Sequence, residues 1–202
     1  MNGTTLDVTD LPIGTADSRA LLWWGNLGMM VIEGTMFMMM IATYLYLKVT
    51  NLDWPPTTVP NPDLVSSTAV VVILVVSAFV MMIADRGALR ANVNAVRVGY
   101  GLCIVAGLSV LVLRSIAMST LGYKWSSHAY GSVVWVSIGL HTFHQISATA
   151  EVGLLFVYSF VRPITKKQLL DIRTTAVYWY FVVLMWLPFY FTIYVAPYFS
   201  RK

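Results

Sequence analysis

Charge is what this sequence has least of. Asp, Glu, Lys and Arg together make up 11% of 202 residues, while 58% are hydrophobic. A soluble domain carries roughly 25% charged residues, so the balance excludes a soluble globular protein and describes a chain that crosses a membrane several times. Cysteine occurs once, as Cys103 within an apolar run. That rules out an intrachain disulfide and leaves a small buried apolar side chain as its reading. The only histidines are His128, His141 and His144. A net charge of +4 comes from short basic clusters between apolar runs rather than from a basic stripe with interleaved aromatics, so nucleic acid is excluded as a partner. No internal repeat, low-complexity tract or composition break divides the chain, which reads as one transmembrane domain over 1–202.

What is present is apolar length. A hydrocarbon core of about 30 Å takes roughly 20 helical residues. Five stretches meet that need, at about 22–47, 66–84, 98–118, 130–160 and 175–198. The fold class is therefore an all-α polytopic bundle of five spans, with the first and fourth long enough to tilt or project. Before the first span, Asp7, Asp10 and Asp17 precede the only base, Arg19. This reverses the basic start of a signal peptide, and no cleavage is expected.

Loop charges set the expected orientation. Arg19, Arg86, Arg90, Arg97, Arg162, Lys166, Lys167 and Arg173 fall on one side, against Lys48, Lys124, Arg201 and Lys202 on the other. The amino terminus is expected in the cytoplasm and the carboxyl terminus outside. Trp23, Trp24, Trp54, Trp125, Tyr123, Tyr194 and Tyr198 lie near span ends, where amphipathic rings favour the headgroup layer. "NLDWPPTTVPNP" (51–62) holds four prolines and reads as a stiff external loop. The short basic connection "ADRGALRANVNAVR" makes spans two and three antiparallel neighbours, with Gly87 as a helix stop.

Polar residues at membrane depth must face protein or water. "SIGLHTFHQISATAE" sets Ser137, His141, His144 or Gln145, Ala148 and Glu151 along one helix face. Two imidazoles three residues apart invite a metal reading, but a closed site wants about four ligands and only His128 and scattered carboxylates remain. Interhelical hydrogen bonding is the better account. Arg114, near the outer end of span three, reads as a snorkelling side chain. Glu33, in "GMMVIEGTMFMMM", lies about 17 Å along span one, near mid-membrane. No partner is close in sequence, so it reads as a neutral acid donating one hydrogen bond to a lipid, a water or a partner subunit.

These residues carry a resemblance. "GNLGMMVIEGTMF", "WPP" with "NP" downstream, "AYGSVVWVSIGLHTFH" and "YWYFVVLMWLPFYFTIY" resemble, in one order over 20–198, the segments of heme-copper oxidase subunit III in its short five-helix form. The resemblance implies a chain that holds no heme and no copper. Those would lie in partner subunits I and II, with subunit I the main contact. It further implies phospholipid binding, support of proton uptake and of durability in turnover, and residence in the inner (plasma) membrane. The chain would have no catalytic centre of its own while belonging to a proton-pumping oxidoreductase. Three histidines and one cysteine are too few to ligate two hemes and two coppers. Glu33, His141, His144, Glu151 and Arg162 are the expected lipid or subunit-interface residues, Arg162 as a base near a lipid phosphate.

There are departures. The last helix has Trp179, Tyr180, Phe181, Val182 and Val183 where the family usually reads Trp-His-Phe-Val-Asp. "RSIAMS" stands in place of Gln-x-x-x-Glu-Tyr, Thr142 replaces a glycine, and Glu151 is an addition. The alternatives are the accessory subunit of a quinol oxidase or nitric oxide reductase and, from another class, a small transporter or membrane metalloenzyme. A transporter would show repeats or broken helices with convergent polar groups.

Overall fold

The computed structural model describes residues 21–90, 92–161 and 166–200. Among them every regular element is helical. Five long helices follow one another: α1 (Leu21–Thr50), α2 (Leu64–Leu89), α3 (Val93–Ser119), α4 (Ala129–Val161) and α5 (Lys166–Tyr190). A single π turn, Phe191–Val195, carries α5 into the short α6 (Ala196–Ser200). Helix is the form expected of such apolar segments, because a backbone in lipid must satisfy its own hydrogen bonds within one segment.

The starts of the helices are set by side chains. Asp63 caps α2, accepting from the Val65 and Ser66 N–H groups at 3.0 and 3.3 Å. Asn92 does the same for α3 through Ala95 N–H at 3.1 Å. His128 opens α4, its Nδ1 accepting from Gly131 N–H at 2.8 Å.

The expected hairpin of α2 and α3 is present and is the most extensive helix pair. Gly87 is not its stop: α2 continues to Leu89, and a Cβ at Gly87 would lie 2.7 Å from that of Ala95. Its smallness lets the two helices approach. Gly99 does the same from α3, where a Cβ would meet Ala84 Cβ at 2.7 Å and its backbone at 3.1 Å. The third helix then packs on α4, while α5 packs on α2 and α4, and α1 lies against α5 and α4. Trp179 of α5 reaches into this core and donates to Ser77 Oγ at 3.0 Å. Cys103 is buried there, its Sγ 3.6 Å from the Ser77 carbonyl.

Four helical stretches, Leu21–Thr50, Leu64–Leu89, Val93–Ser119 and Gln168–Phe199, are long and apolar enough to cross a membrane. The fourth expected span, α4, is long enough at 33 residues but is not among them, because its polar stripe lowers its hydropathy. That stripe is turned inward: Ser137, His141, His144, Gln145 and Thr149 are all buried.

Tyr194 is buried within the chain on the π turn rather than turned outward. Trp54 and Tyr123 join an aromatic cluster with Tyr44 and Tyr130, the Trp54 and Tyr130 rings 5.1 Å apart, which folds the proline-rich loop onto the bundle.

Candidate functional site: two polar knots on α4

The first knot brings α1, α4 and α5 to one point. His144 lies one helical turn from Leu140, and its Nδ1–H donates to that carbonyl at 2.7 Å. Since a carbonyl only accepts, Nδ1 carries the hydrogen and Nε2 is left to face Glu33, whose Oε2 is 3.7 Å away. The structure thus adds a neighbour the sequence did not show, a histidine of the same chain, while Glu33 Oε2 makes no hydrogen bond among the described residues. Sequence distance hid it, since Glu33 and His144 sit on different helices. From α5 the Tyr178 hydroxyl lies beside the Glu33 carboxyl and 3.4 Å from Ser147 Oγ.

The second knot is deeper in the bundle. His141 is fully buried. Its Nε2–H donates to the Val182 carbonyl at 3.0 Å, which fixes the tautomer and turns the Nδ1 lone pair toward Arg114 Nη2, 3.5 Å away. Arg114 does not snorkel. It is 3% exposed, with its Cζ 3.3 Å from the centre of the Trp186 ring. The indole face supplies the negative potential that a buried cation needs, and Trp186 packs on His141 in turn, ring centres 4.7 Å apart. Helix α3 points this residue at His141 of α4 and Trp186 of α5 rather than outward.

Between the knots lies Phe37, fully buried, with ring centres 4.8 Å from His144 and 6.3 Å from His141. The two histidines, three residues apart, therefore belong to separate networks. Their donors diverge, and no group of three His, Cys, Asp or Glu side chains suited to a metal occurs among the described residues.

Glu151, two turns from His144, accepts from Thr175 Oγ1 at 2.5 Å. Gln145 and Thr149 bond each other on the same face, Gln145 Nε2 donating to Thr149 Oγ1 at 3.2 Å. Arg162 lies outside the described residues. The sequence reading missed Ser147, Thr175, Tyr178 and Trp186. Ser147 was legible, since it falls three residues from His144 and four from Glu151. The α5 residues were not, because nothing in an aromatic-rich span says which ring turns inward.

The family described as "Cytochrome c oxidase subunit III" matches residues 17–198. A "Probable cytochrome c oxidase subunit 3" of Nocardia farcinica is 27% identical over 71% of this chain and 72% of the relative. The "Cytochrome c oxidase subunit 3" of Thermostichus vulcanus is 24% identical over 85% of each chain. That of Anopheles gambiae is 24% identical over 86% of this chain and 68% of the relative. The match runs from just before α1 to α6 and takes in Glu33, both knots and the proline-rich loop: the chain belongs to the cytochrome c oxidase subunit III family, membrane subunits of the heme-copper oxidases of the respiratory chain.

Proposed function

We propose that this chain is a cofactor-free subunit III of a cytochrome c oxidase in the plasma membrane. It packs on subunit I, holds phospholipid, and supports proton uptake and durability of the catalytic subunits, where heme and copper reside. All five long helices cross the membrane in this reading, with the amino terminus in the cytoplasm. The helix α4 can cross because its polar groups are matched inside the chain, where a bare imidazole at membrane depth would cost several kcal/mol on some scales.

One observation carries the cofactor-free reading: the imidazoles are already employed. His141 has one nitrogen on the Val182 carbonyl and the other toward Arg114. His144 spends Nδ1 on Leu140 and turns Nε2 to Glu33, and His128 Nδ1 caps α4. Ligation by His141 through either nitrogen would break a buried hydrogen bond or displace an arginine, and His144 has only Nε2, the atom that faces Glu33, left for a ligand. The polar pairs serve cohesion of the bundle, and Arg162, a base in the cytoplasmic connection of this reading, meets an anionic lipid phosphate.

The test is purification from native membrane, followed by a reduced-minus-oxidised spectrum of the complex and metal analysis of this chain expressed alone. Heme and copper should accompany the complex and be absent from the isolated chain. Stoichiometric iron or copper on the chain alone would overturn the reading. A partner carrying the hemes of a quinol oxidase or nitric oxide reductase would reassign the complex.

A further inference from the structure

The stacked pair of Arg114 and Trp186 carries more buried hydrogen-bond donors than its surroundings can receive. Both side chains are buried, at 3% and 1% exposure. Of the Arg114 nitrogens only Nη2 has a partner among the described residues, His141 Nδ1 at 3.5 Å. The Nε and Nη1 groups of Arg114 and the Nε1–H of Trp186 have no acceptor there. A buried donor without an acceptor costs its full desolvation penalty, the more so when it is charged. No carboxylate answers the charge either. The ion pairs among the described residues are Glu33 with His144 and Asp85 with Arg173, and the acid near enough to act on Arg114 is a phenol, that of Tyr194. The indole face offsets part of the charge and leaves the N–H groups unmet.

There is an approach from the proline-loop end. Arg114 lies five residues before the last residue of α3, Ser119, roughly 8 Å along the axis. About one turn further on, Ala117 lines a cavity of about 120 Å³ with Ser67, Val134 and Tyr194, beneath Pro60. One water needs about 10–15 Å³ measured this way, so the cavity admits a hydrated small ion but not a phospholipid. Tyr194 joins the two places. It lines the cavity, its ring centre is 6.2 Å from that of Trp186, and its hydroxyl bonds to Ser67 within range of the Arg114 charge. Asp63 lies on the same cavity, held by the Val65 and Ser66 N–H groups. Its repulsion grows with the charge of the visitor, so it opposes divalent anions more than monovalent ones. His141 takes one of the two Nη2 hydrogens, and Nη2 belongs to both forks of the guanidinium. A bidentate oxyanion is left one fork at most, whereas a halide has no lone-pair direction to satisfy.

We propose that Arg114 and Trp186 bind one small monovalent anion, of the size and charge of chloride, which enters from the proline-loop end past Tyr194. The ion accepts from the orphaned N–H groups and neutralises the buried guanidinium, so that α3 and α5 are held together by a charge that neither helix supplies. The site asks nothing of the redox centres.

Bromide, which replaces chloride and scatters anomalously, is the probe. Crystals of the purified complex soaked in millimolar bromide should show an anomalous peak at hydrogen-bond distance from the Arg114 or Trp186 nitrogens. In solution, exchanging gluconate for chloride at constant ionic strength should raise the unfolding midpoint of the full chain in mixed micelles by mass action. Trp186→Phe keeps a ring and removes the N–H, and should raise the chloride concentration giving half of that shift by about tenfold. Arg114→Met should abolish the shift. The proposal is overturned by a partner subunit's carboxylate or water alone at the guanidinium, by a peak that needs molar bromide, or by a chloride shift that survives in Arg114→Met. The anomalous measurement needs no substitution, so it decides the matter even where a variant fails to fold. A complex lacking heme and copper would sink the functional reading above and leave the bromide result valid.

Discussion

Arg114 and Trp186 form the one cation–π pair in the middle of the described bundle, with the guanidinium carbon 3.3 Å from the ring centre. A desolvated pair of this kind contributes about 2 kcal/mol. Arg114→Met and Trp186→Leu should each destabilise the isolated chain in mixed micelles. Because each removes the same contact, the double variant should lose about 1–2 kcal/mol less than the sum of the two. Fully additive losses would show that the contact contributes nothing.

His141 and His144 tie α4 to α5 and α1 by different atoms. Replacing both with Leu leaves the Val182 carbonyl without its second donor and Glu33 without its base, each costing about 1–3 kcal/mol. The expected result is a chain lost more readily from the purified complex during detergent washing, with the heme spectra of the partner subunits unchanged. Loss of a bound metal together with all oxidase activity would show instead that the histidines are ligands.

Gly99 lets α3 approach the α2 backbone at Ala84, where an added Cβ would come within 3.1 Å of main-chain atoms. Backbone cannot swing aside as a side chain can. Gly99→Ala should therefore cost about 1–3 kcal/mol, as overpacking does. Gly139, with nothing within 4 Å of the same built atom, should tolerate alanine, and comparing the unfolding midpoints of the two variants checks the difference.

Glu33→Gln keeps the size of the side chain that faces His144 Nε2. The complex should assemble, begin turnover near the wild-type rate, and lose carbodiimide labelling of this chain. If proton pumping disappears while assembly holds, Glu33 lies on the pumping path and its cohesive role is wrong.

Arg162→Gln should lower the phospholipid retained by the purified complex, measured by mass spectrometry of extracted lipid, because a cation that attracts an anionic headgroup is lost. Unchanged retention would leave Arg162 as a charge that only orients the chain.

The sequence by itself determined the solvent and the number of long helices. Apolar runs of about 20 residues broken by prolines and basic clusters allow little else, and α1 to α4 cover the first four expected stretches while α5, the π turn and α6 together cover the fifth. It also determined that α4 carries a stripe needing partners, since Ser137, His141, His144 and Glu151 recur at helical spacing. It could not determine the partners. In a membrane, lipid-facing and protein-facing surfaces are both apolar, so the pattern that tells an inward face from an outward one in a soluble helix is nearly absent here. That is why Arg114 reads as a snorkelling residue in sequence and lies on Trp186 in the fold, and why Glu33 has no visible neighbour until α1 is laid against α4. Only the tertiary structure decided these pairings. They depend on small residues such as Gly87 and Gly99 bringing helices close enough for a few polar side chains to meet.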